Sequence, residues 1–329
     1  LAEGSTEKTV YANTPNTVDY LELTRLVTDG KPYGYLKIAE GCSNRCTYCI
    51  IPSLRGDYRS RTIENIIKEA KLLAQRGKKE IILIAQDVTR YGTDIYNEKK
   101  LVELVREISK IEDIERIRLL YCYPELIDDD LIDEMKNNPK LCKYMDIPIQ
   151  HISDKMLKAM GRRGSKSYIY SLLDKIVAEI PDVVLRTSLI AGFPGETEED
   201  FAELCEFVRK GYFQHLGVFA YSKEEGTPAY KMKGHLPKKI KTERRNKLME
   251  LQMANVEKYN SSRLGRTYDT IVDGIAEDGI FYVGRTYAEA PDIDSVIYFT
   301  SVEPLEIGMT VPVKMLCPDG YDLVGEVQF

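Results

Sequence analysis

The chain has 329 residues, 46 of them Lys or Arg and 52 Asp or Glu, for a formal charge of −6. No apolar run exceeds the length of the pentad Ile81-Ile82-Leu83-Ile84-Ala85, against the ~20 residues of a membrane helix, so no membrane partner is expected. Seven Cys, three of them within eight residues, argue against a disulfide framework and for a metal site in a reducing, cytoplasmic setting.

Residues 1–30 are polar, with Asn13, Pro15 and Asn16 but no sustained period, and read as a tail or linker. They carry no basic or apolar stretch of a secretory signal and no initial Met, so the chain is expected to be a fragment of a longer protein. From 31 to 235, strand-like runs beginning near Tyr33, Glu80, Arg116, Tyr144, Val183 and His215 alternate with helical patterns at 62–76, 98–110, 128–137, 167–180 and 197–210. Thr197 and Asp200 form a capping pair after the Pro194-Gly195 turn. This alternation predicts an α/β fold, a parallel sheet partly closed as a TIM-like (β/α)6 barrel.

A charged helical connection follows over 236–264, with Ile240, Leu248, Leu251 and Val256 as its apolar stripe. The basic stretch Lys231 to Lys247, which runs into it, sets eight Lys or Arg against Glu243 alone and reads as a solvated helix face or linker. Over 265–329 the period changes to two. Short strands at 268–275, 280–283, 296–299, 310–316 and 321–327 predict an all-β, five-stranded antiparallel barrel. This module holds three basic and twelve acidic residues, a net −9, and leaves the remainder at +3.

Cys42, Cys46 and Cys49 have the spacing C-x3-C-x2-C and follow the first strand of the α/β section. Three thiolates on one loop can hold three corners of a cubane iron–sulfur cluster and leave one iron open to a small chelating molecule. A structural zinc site is the alternative, but it wants four closed ligands, and the remaining Cys122, Cys142, Cys205 and Cys317 are scattered. A loop after a barrel strand is where (β/α) barrels place their chemistry.

The run 40–61 (EGCSNRCTYCIIPSLRGDYRSR) resembles the radical S-adenosylmethionine (SAM) enzymes and, within them, the methylthiotransferases. Further similar segments are 85–87 (AQD), 146–151 (DIPIQH), 191–201 (AGFPGETEEDF) and 221–229 (YSKEEGTPA). Segments 147–151 and 284–294 (GRTYAEAPDID) resemble the branch that methylthiolates the β-carbon of an aspartate in small-subunit ribosomal protein twelve. The rival branch modifies a tRNA adenosine, and it is favoured by the basic stretch and by a C-terminal barrel resembling the TRAM module. The −9 module would repel RNA phosphates and attract a basic ribosomal protein, so RNA is the less favoured partner. A non-catalytic ribosome- or RNA-associated module with a structural metal is the reading from another class.

The resemblance implies that Cys42, Cys46 and Cys49 bind a 4Fe-4S cluster whose open iron is chelated by SAM. One electron, from a flavodoxin-like or ferredoxin-like donor, then yields a 5′-deoxyadenosyl radical that takes a hydrogen from the substrate. It also implies a second cluster in an N-terminal domain absent from this chain. Tyr48 matches an aromatic position near adenine, or packs under the loop. Gln86 and Asp87 match a polar pair for the SAM ammonium, or form a turn. Gln150 is placed at the ribose or carboxylate. Arg186, in an otherwise apolar strand, needs either a SAM carboxylate or an internal acidic partner. Arg55, Arg59 and Arg61 suggest a clamp on the substrate carboxylate. Tyr123 and His151 end strands and could face substrate, although a structural role is favoured for both. Partners implied are a basic ribosomal protein or the assembled small subunit.

Overall fold

The computed structural model describes residues 27–328, so most of the expected tail lies outside the described residues. Strand β1 (Tyr33–Lys37) leads into a two-residue hairpin, β2 (Ala39–Glu40) against β3 (Arg59–Ser60), which encloses the cysteine loop and the short helix α1 (Ile51–Arg55). Then follow α2 (Ile63–Gln75), β4 (Glu80–Ile84), α3 (Leu101–Ser109), β5 (Arg116–Leu119), α4 (Asp129–Asn137) and β6 (Leu141–Asp146). Helices α5 (Asp154–Ala159) and α6 (Lys166–Glu179) precede β7 (Val184–Ala191), α7 (Glu198–Arg209) and β8 (His215–Ala220).

The six longer strands pair in parallel in the order β1-β4-β5-β6-β7-β8, an open sheet curved around its inner face. Sequence and local chemistry agree at the helix starts. Thr62, Asp128, Ser165 and Thr197 each accept a backbone N–H from the first turn, and Thr197 with Asp200 completes a capping box. Apolar side chains on the outer strand face, such as Leu36, Ile81, Leu83, Ile117 and Leu189, are fully buried under the helices. Sequence periodicity did not signal α1 or α5, which are five and six residues long and too short to show a period.

Helix α8 (Lys238–Arg263) runs along β7, β8 and α7. Four of its six buried residues are polar, Arg244, Gln252, Asn260 and Arg263, which is why its apolar stripe looked thin. Each has a partner: Gln252 donates to Phe213 O at 2.9 Å, Asn260 to Tyr321 O at 3.2 Å, Arg244 to Glu196 at 2.6 Å, and Arg263 to Glu289. The basic stretch is therefore only partly a solvated face. Arg244 is buried, and Lys241 donates to Tyr221 O at 2.9 Å.

Strands β9 (Thr267–Ile275), β10 (Tyr282–Arg285), β11 (Ile297–Thr300), β12 (Thr310–Asp319) and β13 (Asp322–Val327) close a barrel in the order β10-β11-β13-β12-β9. It is mixed rather than wholly antiparallel, because β11 and β13 pair in parallel. Strand directions cannot alternate all the way around a ring with an odd number of strands, so a closed five-stranded barrel must contain a parallel pair.

The segment after β10 plugs the N-terminal end of the half-barrel. Asp292 accepts from Tyr33 and Tyr35, Asp294 from Tyr144 at 2.6 Å, and Ala288 O meets His215 Nε2 at 2.8 Å. Beneath the plug Glu80 receives Arg118 and Arg285, both at 2.6 Å, and all three are essentially buried. Burial alone would raise the Glu80 carboxyl, but the two guanidiniums outweigh it and hold its pKa at about 2; Glu289, buried beside Arg263, is held at about 2 likewise.

Both folded values lie below the unfolded carboxylate value of about 4.3, so this stability is complete above that pH and is lost as pH falls toward 2. Unfolding free energy should therefore decline through that acid window. The decline should be shallower in Glu289→Gln, as followed by urea denaturation at stepped pH; equal slopes for both proteins would rule out the assignment.

Candidate active site

The parallel sheet gathers the site at the C-terminal ends of its strands, opposite the plug. The cysteine loop is fastened there from three sides. Gly41 has φ +79°, and a Cβ at this position would stand 2.2 Å from Asp57 O, so only glycine allows the chain to turn in. Cys42 N–H donates to Gly56 O at 3.1 Å and Tyr58 N–H to Ser43 Oγ at 3.1 Å. Thr47 donates through N–H to Met160 O and through Oγ1 to Ala159 O, tying the loop to the end of α5.

Asn44 makes the third tie. Its Nδ2 donates to Asp87 Oδ2 at 2.8 Å, and its Oδ1 accepts from Arg90 at 2.8 Å. Asp87 Oδ1 accepts from Thr89 at 2.6 Å, and Thr89 Oγ1 in turn accepts from Tyr123 N–H at 3.1 Å. Asp87 is fully buried and, through these bonds, holds the cysteine loop to the end of β4. Asp87→Ala should leave Asn44 Nδ2 and Thr89 Oγ1 without their acceptor, at a cost of about 3 kcal/mol for charge-assisted bonds. Chemical denaturation of the metal-free protein checks this, and a loss within about 0.5 kcal/mol, the range of an ordinary surface change, would contradict it.

All seven cysteines are unbridged. Cys42 is buried, and burial, followed by the nearby Asp87, Cys46 and Cys49, pushes its thiol up; Cys49 is raised by burial and by Cys46. Among the described residues no three Cys, His, Asp or Glu side chains converge on a point where they could share one metal ion. Binding to iron would override the raised pKa values, since a coordinated thiol is deprotonated outright.

Gln86, next along from β4, is half-buried, and its Oε1 has no hydrogen-bond partner among the described residues. A buried, unpaired acceptor suits a cationic amine. Gln150 adopts φ +73° and bridges β7, its N–H donating to Ser188 O and its carbonyl accepting from Ile190 N–H. Tyr48 packs against a cluster of Met156, Met160, Phe193, Tyr221 and Ala229. The Gly192-Phe193 turn gives its N–H groups to Glu196 Oε2, so it shapes a wall rather than an anion site.

Several side chains expected at the site have partners within the chain. Arg186 points inward but meets carboxylates of the chain itself, Asp146 at 2.9 Å and Asp294 at 3.3 Å, the internal alternative to a SAM carboxylate. Arg61 is buried and held by Asn65, Lys37 O and Glu69. Arg55 pairs with Glu40 at 3.0 Å, and Arg59 donates to Asp57 O and Arg55 O. Each of these three arginines thus has partners on the chain around the cysteine loop.

His151 is fully buried: its Nδ1 accepts from Ile152 and Ser153 N–H, and its Nε2 stands 3.6 Å from Glu196. Its contacts are those of a structural residue. Tyr123 is buried under the guanidinium of Arg162, with its hydroxyl unpaired among the described residues.

Sequence reasoning missed Arg162, which reaches Cys46, and gave Asn44 no role. The available signal for Arg162 was the tandem Gly161-Arg162-Arg163-Gly164 after a short helical segment.

An open parallel (β/α)6 sheet with three thiols on its first loop and an unpaired acceptor at the next strand end defines the radical SAM class. The Radical SAM superfamily model matches residues 36–208, and the TRAM domain model matches 264–327. The chain is 60% identical over 321 residues to the ribosomal protein uS12 methylthiotransferase RimO of Acetivibrio thermocellus, covering 98% of this chain and 71% of that protein. It is 52% identical over 321 residues to the protein of the same name from Clostridium tetani, covering 98% and 72%. The chain belongs to this family of radical SAM methylthiotransferases. Coproporphyrinogen III oxidase (HemN) from Escherichia coli aligns over 70% of this chain and 53% of its own, with 17% identity and a TM-score of 0.49.

Proposed function

We propose that the chain carries the SAM-cleaving, hydrogen-abstracting step of a methylthiotransferase that acts on ribosomal protein uS12 at the β-carbon of an aspartate, with a 4Fe-4S cluster on Cys42, Cys46 and Cys49 and SAM bound beside it. The observation that carries this reading is the single loop bearing Cys42, Cys46 and Cys49 after the first strand of the sheet, with the unpaired Gln86 Oε1 buried at the end of the neighbouring strand. When bound and reduced, SAM supplies a hydrogen-abstracting deoxyadenosyl radical.

The chain's own groups hold and screen this chemistry. Asn44, Thr47 and Asp87 fix the loop, and Gln86 is available to the SAM amine. Gln150 and Tyr48 border the space beyond the cysteines, and the Gly192-Phe193 turn closes one side. Seven unbridged thiols suit a reducing cytoplasm. The acidic C-terminal barrel suits a basic protein partner rather than a phosphate backbone.

The test is anaerobic incubation of iron- and sulfide-reconstituted protein with SAM, dithionite and a uS12 peptide carrying the aspartate loop. 5′-Deoxyadenosine whose yield rises with the peptide and not with tRNA is expected. A rise with tRNA alone would move the substrate to RNA, and stoichiometric zinc without sulfide would remove the enzyme reading.

A further inference from the structure

We infer that Arg162 is a positioning residue that sets the reduction potential of the cluster, by holding a buried guanidinium against the sulfur of Cys46. This rests on the assignment of Cys42, Cys46 and Cys49 as cluster ligands. The segment leaving α5 is built onto the cysteine loop: Ala159 O and Met160 O accept from Thr47. Gly161, at φ +71°, lies beside the loop, where a Cβ would be in ordinary contact with Thr47 Cγ2 at 3.4 Å and Arg45 O at 3.5 Å.

The next residue, Arg162, is 8% exposed. Its Nη1 lies 3.9 Å from Cys46 Sγ, its Nη2 donates to Pro148 O at 2.9 Å, and its guanidinium lies 4.0 Å over the ring of Tyr123. The aromatic shelf and the carbonyl fix the plane, leaving one edge for the sulfur. Tyr48, Tyr123 and Glu125 also face this cation. Glu125 gives one oxygen to Gly164 N–H at 2.5 Å, so its charge is partly engaged elsewhere.

An added electron makes the cluster and its thiolates more negative. A fixed cation and N–H donor beside one thiolate stabilise the reduced form more than the oxidised form, and burial strengthens the effect. Arg162 therefore raises the potential at which the cluster accepts its electron. A purely structural arginine, serving Pro148 O and the loop, would leave that potential where it is.

The experiment is an anaerobic redox titration of the reconstituted full chain, followed by electron paramagnetic resonance, with iron and sulfide assayed on the same samples. In Arg162→Gln the ratio of reduced to oxidised cluster at a fixed poise should fall about tenfold, a shift of about 59 mV to more negative potential for one electron. Arg162→Lys, which keeps the charge, should recover most of the shift. Should Arg162→Gln not fold, Tyr123→Leu removes the shelf under the guanidinium and should move the midpoint in the same direction.

Full iron and sulfide with an unmoved midpoint in the folded variants overturns the role of Arg162. Unaltered protein that takes up no iron and sulfide overturns the cluster assignment itself, and the inference with it.

Discussion

Replacing Cys46 with Ser is expected to abolish cluster retention and to reduce 5′-deoxyadenosine formation to that of a protein-free control. The three thiols are the only cysteines on the loop, and no other can substitute. Cys122, Cys142 and Cys205 are buried in the core, and Cys317 lies on β12 of the C-terminal barrel. A cubane held by three cysteines already leaves one iron to a non-protein ligand, so loss of one more leaves half the cube unligated. The same change at Cys42 or Cys49 should act alike. Cys205→Ser should retain iron and sulfide and lose only about 1–3 kcal/mol of stability, from a hydroxyl placed in apolar surroundings. Iron and sulfide assays with a SAM-cleavage assay distinguish the two outcomes. A Cys46→Ser protein that keeps a full cluster and cleaves SAM would place the ligands elsewhere.

The largest stability effect is expected at Glu80, far from the cysteines. This carboxylate is wholly buried between Arg118 of β5 and Arg285 of β10, and Arg285 also grips Asp273 at 2.6 and 2.9 Å. Glu80→Ala leaves two guanidiniums in the core with one carboxylate removed, and losing one partner of a buried ion pair costs about 3–5 kcal/mol. Arg118 also donates to Tyr287 O at 2.8 Å, so the half-barrel and the C-terminal module should weaken together, in one transition. Urea denaturation followed by circular dichroism measures the loss. Arg118→Ala should cost less in a Glu80→Ala background than in the unaltered protein, because the pair has already been broken. A loss below about 1 kcal/mol, typical of a surface pair, would show that the network is not what joins the modules.

The fold was legible because its physics is local. Continuous apolar strands followed by capped amphipathic helices announce a parallel sheet, and the change to period two marks the small barrel. The parallel β11–β13 pair was not legible, since strand direction depends on how the ring closes and not on any one strand's residues. The plug was invisible for a similar reason. Asp292 and Asp294 look like solvated loop acids until Tyr33, Tyr35, Tyr144 and Arg186 are brought over them.

Within the site, the cysteine loop was found because spacing alone encodes it. The partners of the arginines were not legible because charge in a sequence does not reveal its partner. Arg55, Arg59 and Arg61 looked free for substrate, yet their partners are Glu40, the loop's own carbonyls and Glu69. Arg162, more than a hundred residues beyond the cysteines, has a partner only the fold supplies.

The most direct test of the chemistry is to follow one hydrogen. Reconstituted protein is incubated anaerobically with SAM, dithionite and a uS12 peptide whose target aspartate is deuterated at the β-carbon, and the 5′-deoxyadenosine is analysed by mass spectrometry. Deuterium in the 5′-deoxyadenosine is the expected result. The same amount of unlabelled 5′-deoxyadenosine with and without the peptide would contradict a site built to act on that carbon.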